Sequence, residues 1–597
     1  MNVLWMHLDD CNLYLPGFLL AHPHAYMPNL ARLKARGTTF TNAHAGIPLC
    51  EPSRPETWFG IRGVKTGQIH SFPADMRDRS YLAQAISIHE HLDDLGYQVR
   101  LSGKVYHEND DTWAGVGNET YALARYGWAT NYGPYVMAES VSTFPDAMVT
   151  PNPWYPSPMD VNKGFGAGRL SEIKAHGYEA YYGTHGYYGK DNVKRGIFRY
   201  NSATDRARMP DELSTDWAIE WLAGGTPTAY TKDSTAAAKQ PPVRVAGQPW
   251  FITLGYTGPH VPLWTPDEYF DAILDHFGIA ERDIALPPRH GGDESLLDAA
   301  SNTGDLADIP SRLQWPDSGT GRTNYATIVA ASNGWPGGVT DAMRRQIFAY
   351  LARLYMVDVQ LGRLLDALEA SGEIDDTIVV LASDNGFAFS EKRWDFKQMV
   401  WRTGTGVPMI IAAPGYTGGQ VCDHPVGLVD LYPTILDLLG EAAPAHPGVT
   451  PALSGTSLEP FLTDPDTTSW TGPPVALSVV KTGQQTNAEL GADDVDPNEM
   501  ALSVRARYWT YTASYWSGGT VQEELYCTAR DPNEWENVAS VTRYAEVKEW
   551  CDYWLCTLST TAGGLTRTRA YSYTPSTFHP DDLARPASPV RLAQSLP

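Results

Sequence analysis

The chain has 597 residues and a formal net charge of −24, with 69 acidic against 45 basic side chains. This balance argues against nucleic acid as a partner, because a phosphate backbone is bound by a surplus of basic residues. No stretch reaches the apolar length of a membrane span, so no spanning segment is predicted. The length suits a large core and more than one domain, and we expect two.

The N-terminus predicts a buried strand rather than a secretory leader. Residues 3–8 form an apolar run that has neither a basic region nor a cleavage site around it. The location expected for the sequence as given is therefore cytoplasmic. Removal of a leader would make it periplasmic or secreted instead.

Apolar runs alternate with helical patterns along the chain. Short runs bounded by loop signals predict strands at residues 3–8, 250–256, 377–382 and 408–413. Apolar residues repeat at helical spacing over 345–370, and Gly372 follows as a helix terminator. This alternation predicts an α/β fold in which helices flank a large, mostly parallel sheet.

Residues 109–248 differ in composition from the rest of the chain. They are rich in Gly, Pro, Tyr and Trp, which predicts an insertion made of long loops. Aromatic side chains on such loops can stack on sugar rings, although packing onto the domain is their commoner use. Residues 291–338 have a similar polar, loop-like composition.

The C-terminal part predicts a second, smaller domain. Pro-rich linkers follow residue 440, and alternating apolar runs at 501–514 and 519–528 predict a small antiparallel sheet. We therefore expect a catalytic α/β domain over 1–465 and an α+β subdomain over 466–597.

Acidic and amide side chains follow two of the predicted strands. Asp9 and Asp10 come directly after the first strand, and Asp384 and Asn385 come after the strand at 377–382. Adjacent carboxylates repel unless a cation neutralises them, and ligands that are all oxygen favour calcium, or magnesium second, over zinc. An exposed loop start and a simple turn are the structural alternatives.

Cys50 has an unusual sequence context. It lies in Cys50-Glu51-Pro52-Ser53-Arg54, a turn-forming segment that carries an arginine. The alternative interpretation of such a cysteine is a small buried hydrophobic residue. The six cysteines fit no zinc spacing, and a catalytic Cys50 leaves an odd number, so we expect no disulfide framework.

These motifs resemble those of the sulfatases. The segment from Cys50 to Arg54, followed by Gly60, resembles the sulfatase signature, and other family motifs occur in family order. They are Pro28-Asn29-Leu30, Gly103-Lys104-Val105-Tyr106-His107, Gly255-Tyr256-Thr257-Gly258-Pro259-His260-Val261-Pro262, Ser383-Asp384-Asn385-Gly386, and Lys397 ahead of Val407-Pro408. The chain is similar to the type I, formylglycine-dependent sulfatases of the alkaline phosphatase superfamily, most of all to the iduronate-2-sulfatase branch.

The resemblance implies an alkaline phosphatase-like fold and a nucleophile made from Cys50. In this family a formylglycine-generating or anaerobic sulfatase-maturating enzyme oxidises that cysteine to Cα-formylglycine. It reads mainly the positions of Cys50, Pro52 and Arg54. One hydroxyl of the hydrated aldehyde can attack sulfur, and the other can expel sulfate by collapse to the aldehyde, which a serine cannot do.

The resemblance also implies roles for the other motif residues. Arg54 would brace the diol, and His107 would take a proton from its second hydroxyl. Lys104, His260 and Lys397 would bind sulfate oxygens, with His260 or Lys397 protonating the departing alcohol. The ligands of a calcium or magnesium ion would be Asp9, Asp10, Asp384, Asn385 and the formylglycine oxygen at Cys50.

The sequence departs from the family pattern at three places. Pro55 follows Arg54 directly, and Phe59 stands where the family commonly has threonine. The helix after the nucleophile is therefore not expected to begin necessarily where it begins in the family. Asp10 is followed by Cys11-Asn12 rather than by the usual x-Arg or x-Gly, which leaves the surroundings of the metal open.

The leading functional prediction is a sulfuric ester hydrolase that acts on a sulfated saccharide, because the motifs occur together with aromatic loops. An alternative is a phosphonate monoester or phosphodiester hydrolase of the same superfamily. Another is an inactive sulfatase-like protein that binds sulfated glycans without cleaving them.

Overall fold

A computed structural model describes the chain over the following ranges: 1–69, 82, 85–106, 167–171, 200–206, 208–225, 243–261, 263–288, 338–389, 391–393, 395–445, 453–481, 500–515, 521–559 and 580–584. The predicted loop segment at 291–338 lies almost wholly outside these residues. So do His107 and most of the insertion.

A seven-stranded sheet forms the centre of the larger domain. In chain order its strands are β1 (Asn2–Leu8), β2 (Thr38–Phe40), β3 (Gln98–Gly103), β4 (Trp250–Gly255), β5 (Thr377–Ser383), β6 (Met409–Ala412) and β7 (Gln420–Cys422). Their order across the sheet is β7-β2-β6-β5-β1-β4-β3. Strands β3, β4, β1 and β5 run parallel, β6 is antiparallel to both β5 and β2, and β7 is parallel to β2. The prediction of a mostly parallel sheet is confirmed.

The eight longest helices of the described residues are α1 (Pro28–Arg36), α2 (Cys50–Phe59), α3 (Ile88–Asp94), α4 (Pro210–Leu222), α5 (Asp267–Phe277), α6 (Gly338–Ser371), α7 (Leu431–Leu439) and α8 (Ala545–Ser559). Helices cover the central sheet, and every residue of β1 and β5 is buried. Continuous apolar strands are typical of a parallel sheet that is covered on both faces.

Helix α6 is longer than its apolar pattern predicts. It begins at Gly338 rather than near 345 and ends at Ser371, and Gly372 follows with a φ of 74°. Leu351, Leu354 and Leu361 on its apolar stripe are almost completely buried. The helix packs against α1, α4 and α5, so one long element connects several parts of the domain.

Helix α4 corrects the expectation of long loops in the insertion. Pro210 is at its first position, and Asp211 and Glu212 occupy its acidic first turn. Trp217 and Trp221 are 1% and 0% exposed and belong to the main core. Composition alone failed here because these aromatic residues pack inside the domain, whereas the prediction placed them on loops.

The C-terminal subdomain contains the predicted antiparallel sheet. Its strands are β8 (Ala476–Lys481), β9 (Met500–Arg505), β10 (Trp509–Tyr515) and β11 (Gln522–Cys527), paired in that order. The predicted run at 501–514 thus forms two strands joined by a turn. Residues of α8 and of this sheet share a separate apolar core.

The described residues include all six cysteines and the helices that were considered as membrane spans. All six cysteines are free and buried, as expected for a chain without a disulfide framework. None of the helices in the described ranges is both long and apolar enough to cross a membrane.

Candidate active site

The ends of β1 and β5 bring the predicted metal ligands together. Because these strands are parallel neighbours, Asp9 and Asp10 emerge beside Asp384 and Asn385 at one edge of the sheet. The backbone N–H of Asp10 donates to Asp384 Oδ1 at 3.0 Å, and Asn385 Nδ2 donates to Asp10 Oδ1 at 2.8 Å. Asp10 has a φ of 60°, in the left-handed region, which turns the chain sharply after β1.

Cys50 is the first residue of α2 and lies beside these carboxylates. One ligand atom each from Asp9, Cys50 and His260 lie within 4.8 Å of one another. The N–H groups at the start of a helix favour negative charge nearby. Pro55 is inside α2, which begins at Cys50 and continues to Phe59, so this departure from the family pattern does not interrupt the helix.

Lys397 connects the cysteine with the carboxylates. Its Nζ donates to Asp10 Oδ1 at 2.7 Å and to Cys50 Sγ at 3.2 Å. The side chain is 2% exposed. The structure thus brings Lys397 together with Cys50 and Asp10.

Arg54 extends from α2 to the other carboxylates. Its Nη2 and Nε donate to Asp384 Oδ2 at 2.7 Å and 3.0 Å, and Nη2 lies 3.6 Å from Asp9 Oδ1. It also donates to the backbone carbonyls of Lys104 and Val105. The guanidinium is fully buried, and it neutralises carboxylates beside Cys50.

Lys104 lies directly after β3 and donates to Asp9 Oδ2. The strand ends closely against β4, because a Cβ on Gly103 would lie 2.1 Å from the Gly255 carbonyl oxygen. Gly103 also has a φ of 75°. Glycine at this position therefore lets the chain turn so that Lys104 reaches the site.

His260 approaches from the loop after β4. Its Nε2 lies 3.6 Å from Asp10 Oδ2, and its Nδ1 contacts the Val261 carbonyl. A carbonyl only accepts, so Nδ1 carries the proton of the neutral ring and Nε2 faces Asp10. The side chain is 15% exposed, the most open of the predicted site residues that the structure describes.

Electrostatic coupling within the site is strong. Burial raises the pKa of Asp384; Arg54 opposes this shift, and Asp9, Cys50 and Asp10 reinforce it. Burial would also raise the pKa of Asp9, but Lys104, His260 and Arg54 hold it well below its usual value. Burial lowers the pKa of His260, yet Asp10 and Asp9 outweigh it and the net shift is upward.

The donor set fits a divalent cation with oxygen ligands. Within the described residues no hydrogen-bond donor pairs with Asp9 Oδ1, Asp10 Oδ2 or Asn385 Oδ1, although all three atoms are buried. Buried acceptors are rarely left without a partner, and a metal ion would satisfy all three. One oxygen each from Asp9, Asp10 and Asp384 also lie within 4.8 Å of one another.

Acidic and basic groups balance within the site. The buried acids Asp9, Asp10 and Asp384 are matched by the buried bases Arg54, Lys104 and Lys397. A divalent cation would leave this set with a net positive charge. Such a site can bind an anionic ester although the whole chain carries a net charge of −24.

Two supporting residues were not predicted from the sequence. Tyr350 on α6 donates from its hydroxyl to the Asp10 carbonyl at 2.8 Å and accepts from the Asn12 N–H at 2.9 Å. Ser53 Oγ donates to the Asp384 carbonyl. A polar side chain in the apolar stripe of a predicted helix, as at Tyr350, is the only sequence signal for such a role.

Comparison with known proteins identifies the family. The sulfatase family profile matches residues 170–441. A sulfatase of Formosa agariphila is 27% identical over 545 residues, covering 90% of this chain and 83% of the relative. Arylsulfatase K of Homo sapiens is 30% identical over 533 residues, covering 88% and 76%.

Solved structures share the fold at lower identity. A phosphonate monoester hydrolase from Silicibacter pomeroyi has a TM-score of 0.59 at 20% identity, covering 96% of this chain and 100% of that chain. A protein described as a 2-O GAG sulfatase has a TM-score of 0.53 at 18% identity, covering 92% and 89%. The fold and the relatives agree: this chain belongs to the sulfatase family, within the alkaline phosphatase superfamily, and is a sulfuric ester hydrolase.

Proposed function

We propose that this enzyme removes sulfate from a sulfated saccharide, with Cys50 converted to Cα-formylglycine as the nucleophile. The observation that carries the proposal is the position of Cys50 at the start of α2. Lys397 Nζ is 3.2 Å from its sulfur, and Asp9 and His260 are also close. The neighbour described as a 2-O GAG sulfatase supports a saccharide substrate.

Calcium, or magnesium, is the cation proposed for this site. Asp9, Asp10, Asp384 and Asn385 would hold it together with the oxygen that replaces the Cys50 sulfur. Bound there, the ion would supply positive charge next to the sulfate oxygens. Stoichiometric zinc in active enzyme, without calcium or magnesium, would contradict this assignment.

The cationic side chains have separate proposed tasks. Lys104 and Lys397 bind sulfate oxygens and stabilise the charge that develops on them. His260 protonates the departing alcohol, because it is the most open of these groups and Nε2 faces the site. Arg54 braces the nucleophile through the carboxylates that it contacts. His107, outside the described residues, is proposed to take the proton that is released when sulfate leaves.

Substrate preference is proposed to depend on the insertion at 109–248. Its aromatic residues Trp154, Tyr182 and Tyr187 lie outside the described residues. We expect their truncation to change the preference among saccharides more than the turnover of a small aryl sulfate. An unchanged preference in folded protein would refute this part of the proposal.

A substrate panel tests the function. Enzyme co-produced with a formylglycine-generating or anaerobic sulfatase-maturating enzyme is assayed on defined sulfated saccharides, an aryl sulfate and a phosphate diester. Peptide mass spectrometry reads the state of Cys50. We expect aldehyde in place of thiol, release of sulfate from a saccharide, and a folded, inactive Cys50→Ala variant.

Two alternatives predict other results in the same panel. A phosphonate monoester or phosphodiester hydrolase would turn over the phosphate diester faster than any sulfate ester, as the fold shared with such an enzyme allows. A sulfated-glycan binder would retain the thiol, bind saccharides and release no sulfate.

A further inference from the structure

We infer that Asp211, in the first turn of α4, is a positioning residue that sets the place of His260. The inference rests on the proposed function, in which His260 protonates the leaving alcohol. Asp211 is 1% exposed and lies in the segment that the sequence presents as loops. Among the described residues, the hydrogen bonds of its carboxylate go to the turn after β4 and not to a proposed metal ligand or a cationic side chain of the site.

Both carboxylate oxygens of Asp211 bind the turn after β4. Oδ1 accepts from the Thr257 N–H at 2.8 Å and from Thr257 Oγ1 at 3.0 Å, and Oδ2 accepts from the Gly258 N–H at 3.0 Å. Three hydrogen bonds to one buried carboxylate fix two successive residues of the turn. Since a charged acceptor makes these bonds, replacement by a neutral group weakens all three.

The same turn carries His260. The His260 N–H donates to the Thr257 carbonyl at 2.8 Å, so the histidine backbone is tied to the residue that Asp211 holds. There is little space for the turn to shift, because a Cβ on Gly258 would lie 2.9 Å from Asp211 Oδ2 and 2.8 Å from Val357 Cγ2.

Arg353 on α6 completes the arrangement. Its Nη2 donates to Thr257 Oγ1 at 3.0 Å and lies 3.4 Å from Asp211 Oδ2. Thr257 Oγ1 thus accepts from Arg353 and donates to Asp211, which orients its hydroxyl. The buried arginine also places a positive charge beside the Asp211 carboxylate.

Loss of the Asp211 carboxylate is expected to affect difficult leaving groups most. A sugar alcohol leaves poorly without a proton, whereas nitrophenolate leaves readily. A displacement of His260 therefore slows saccharide sulfates more than p-nitrophenyl sulfate. A general loss of folding would slow both substrates equally.

The test compares Asp211→Asn with Asp216→Asn in the mature, full-length enzyme. Asp216 is on the same helix and pairs with Arg363 of α6, so its replacement removes the same charge and also weakens the contact between α4 and α6. This contact of Asp216 does not involve the turn that Asp211 holds. Both substrates are assayed for kcat and KM, and melting temperature is measured for each variant.

We expect Asp211→Asn to lower kcat on a sulfated saccharide by about 10- to 100-fold and on p-nitrophenyl sulfate by less than about threefold, with KM nearly constant. Asp216→Asn should leave both rates within about twofold of wild type. Equal losses on the two substrates, or the same losses in both variants, would overturn the inference.

A double-mutant cycle separates this inference from the proposed function. If Asp211 acts through His260, then Asp211→Asn lowers kcat by less than about twofold further in a His260→Ala background. Additive losses overturn the inference, because Asp211 would then act by another route, such as the Gly258 carbonyl that accepts from the Asp9 N–H at 3.4 Å. A fully active His260→Ala enzyme would overturn the role proposed for His260 and the inference with it.

A second variant keeps the test decisive if Asp211→Asn does not fold. Thr257→Val removes only the hydroxyl that bridges Asp211 and Arg353 and keeps the side-chain shape. The same preferential loss on saccharide sulfate, absent in the His260→Ala background, supports the inference. Wild-type selectivity between the two substrates contradicts it.

Discussion

The proposed metal ligands and Lys397 are positioned in different ways. Asp9, Asp10, Asp384 and Asn385 follow directly from two buried neighbouring strands, so the sheet itself determines their spacing. Lys397 instead lies in an irregular segment, where Phe396 and Gln398 on either side have φ values of 101° and 65°. Strand pairing therefore positions the metal ligands, whereas the position of Lys397 depends on how an irregular segment packs against the rest of the fold.

One contact joins the segment that carries Lys397 to the C-terminal sheet. Lys392, five positions before Lys397, has its Nζ 4.8 Å from the centre of the Tyr526 ring and 5.4 Å from that of Trp401. Tyr526 Oη in turn donates to Glu524 Oε1 at 2.6 Å. A second lysine of the same segment thus contacts β11, and we expect this contact to help hold Lys397 in place.

The largest expected effect comes from the proposed metal ligands. Asp384→Ala removes a proposed ligand and the partner of Arg54, so we expect loss of the bound metal and at least about a 1,000-fold loss of kcat on p-nitrophenyl sulfate. Metal content and turnover are measured on the same preparation. Asp366→Ala, at an exposed ion pair with Arg32, is the control. Full metal content in the Asp384 variant would contradict the assignment.

Removal of the charge on Lys397 should have the next largest effect and should separate this lysine from the metal ligands. Lys397→Met is expected to lower kcat by about 100-fold while the metal content stays that of wild type, because the lysine stabilises charge and is no ligand. Lys397→Arg should recover part of the rate. A Lys397→Met enzyme that loses its metal would show that the lysine and the metal ligands are not independent.

A smaller loss is expected when the segment is released from the C-terminal sheet. Lys392→Met keeps the length of the side chain but removes its charge between two rings, and we expect kcat to fall by about tenfold with unchanged metal content. Lys548→Met is the matched control, since Lys548 of α8 pairs with Glu523 of β11, the strand that also carries Tyr526. Equal rates for the two variants would show that the contact between Lys392 and Tyr526 does not affect catalysis.

The smallest effect on turnover, but a measurable one on stability, concerns Glu524. Burial raises the pKa of this carboxyl to about 7, although Lys392 opposes the shift, as do hydrogen bonds from Tyr526 and Trp401, while Glu534 reinforces it. The folded protein therefore keeps a proton that an unfolded glutamate releases near pH 4.5. The stabilisation is complete below that pH and is lost as the pH rises through about 7.

Glu524→Gln stays neutral at every pH and removes this dependence. We expect the free energy of unfolding of wild type, relative to the variant, to fall by up to a few kcal/mol between about pH 4.5 and about pH 8. Urea denaturation at several pH values measures the difference, with Glu523→Gln as the control on the neighbouring residue. A difference that does not vary with pH would mean that Glu524 is ionised in the folded protein.

The same contrast explains how much the sequence could predict. The strands at 3–8 and 377–382 are apolar runs with acidic ends, so both the fold and the meeting of Asp9, Asp10, Asp384 and Asn385 follow from local pattern and strand direction. Lys397 was placed only by its resemblance to a family motif.

The remaining parts depend on tertiary packing that leaves no local pattern. The tryptophans of α4 lie in a segment with the composition of loops, yet they pack in the core. The contact of Lys392 with Tyr526 joins residues 134 positions apart. Tyr350 looks like one more member of an apolar helix face. Such pairings are decided by how elements pack, which a single sequence does not display.

Helix α6 has a consequence for how this enzyme can change during evolution or engineering. Tyr350 holds the Asp10 carbonyl and Arg353 holds Thr257, and these two residues are one helical turn apart, about 4.5 Å along the axis. A rigid rod thus sets the separation between the turn beside the carboxylates and the turn that carries the histidine. An insertion of one residue between 350 and 353 would therefore shift the turn beside the carboxylates relative to the turn that carries His260.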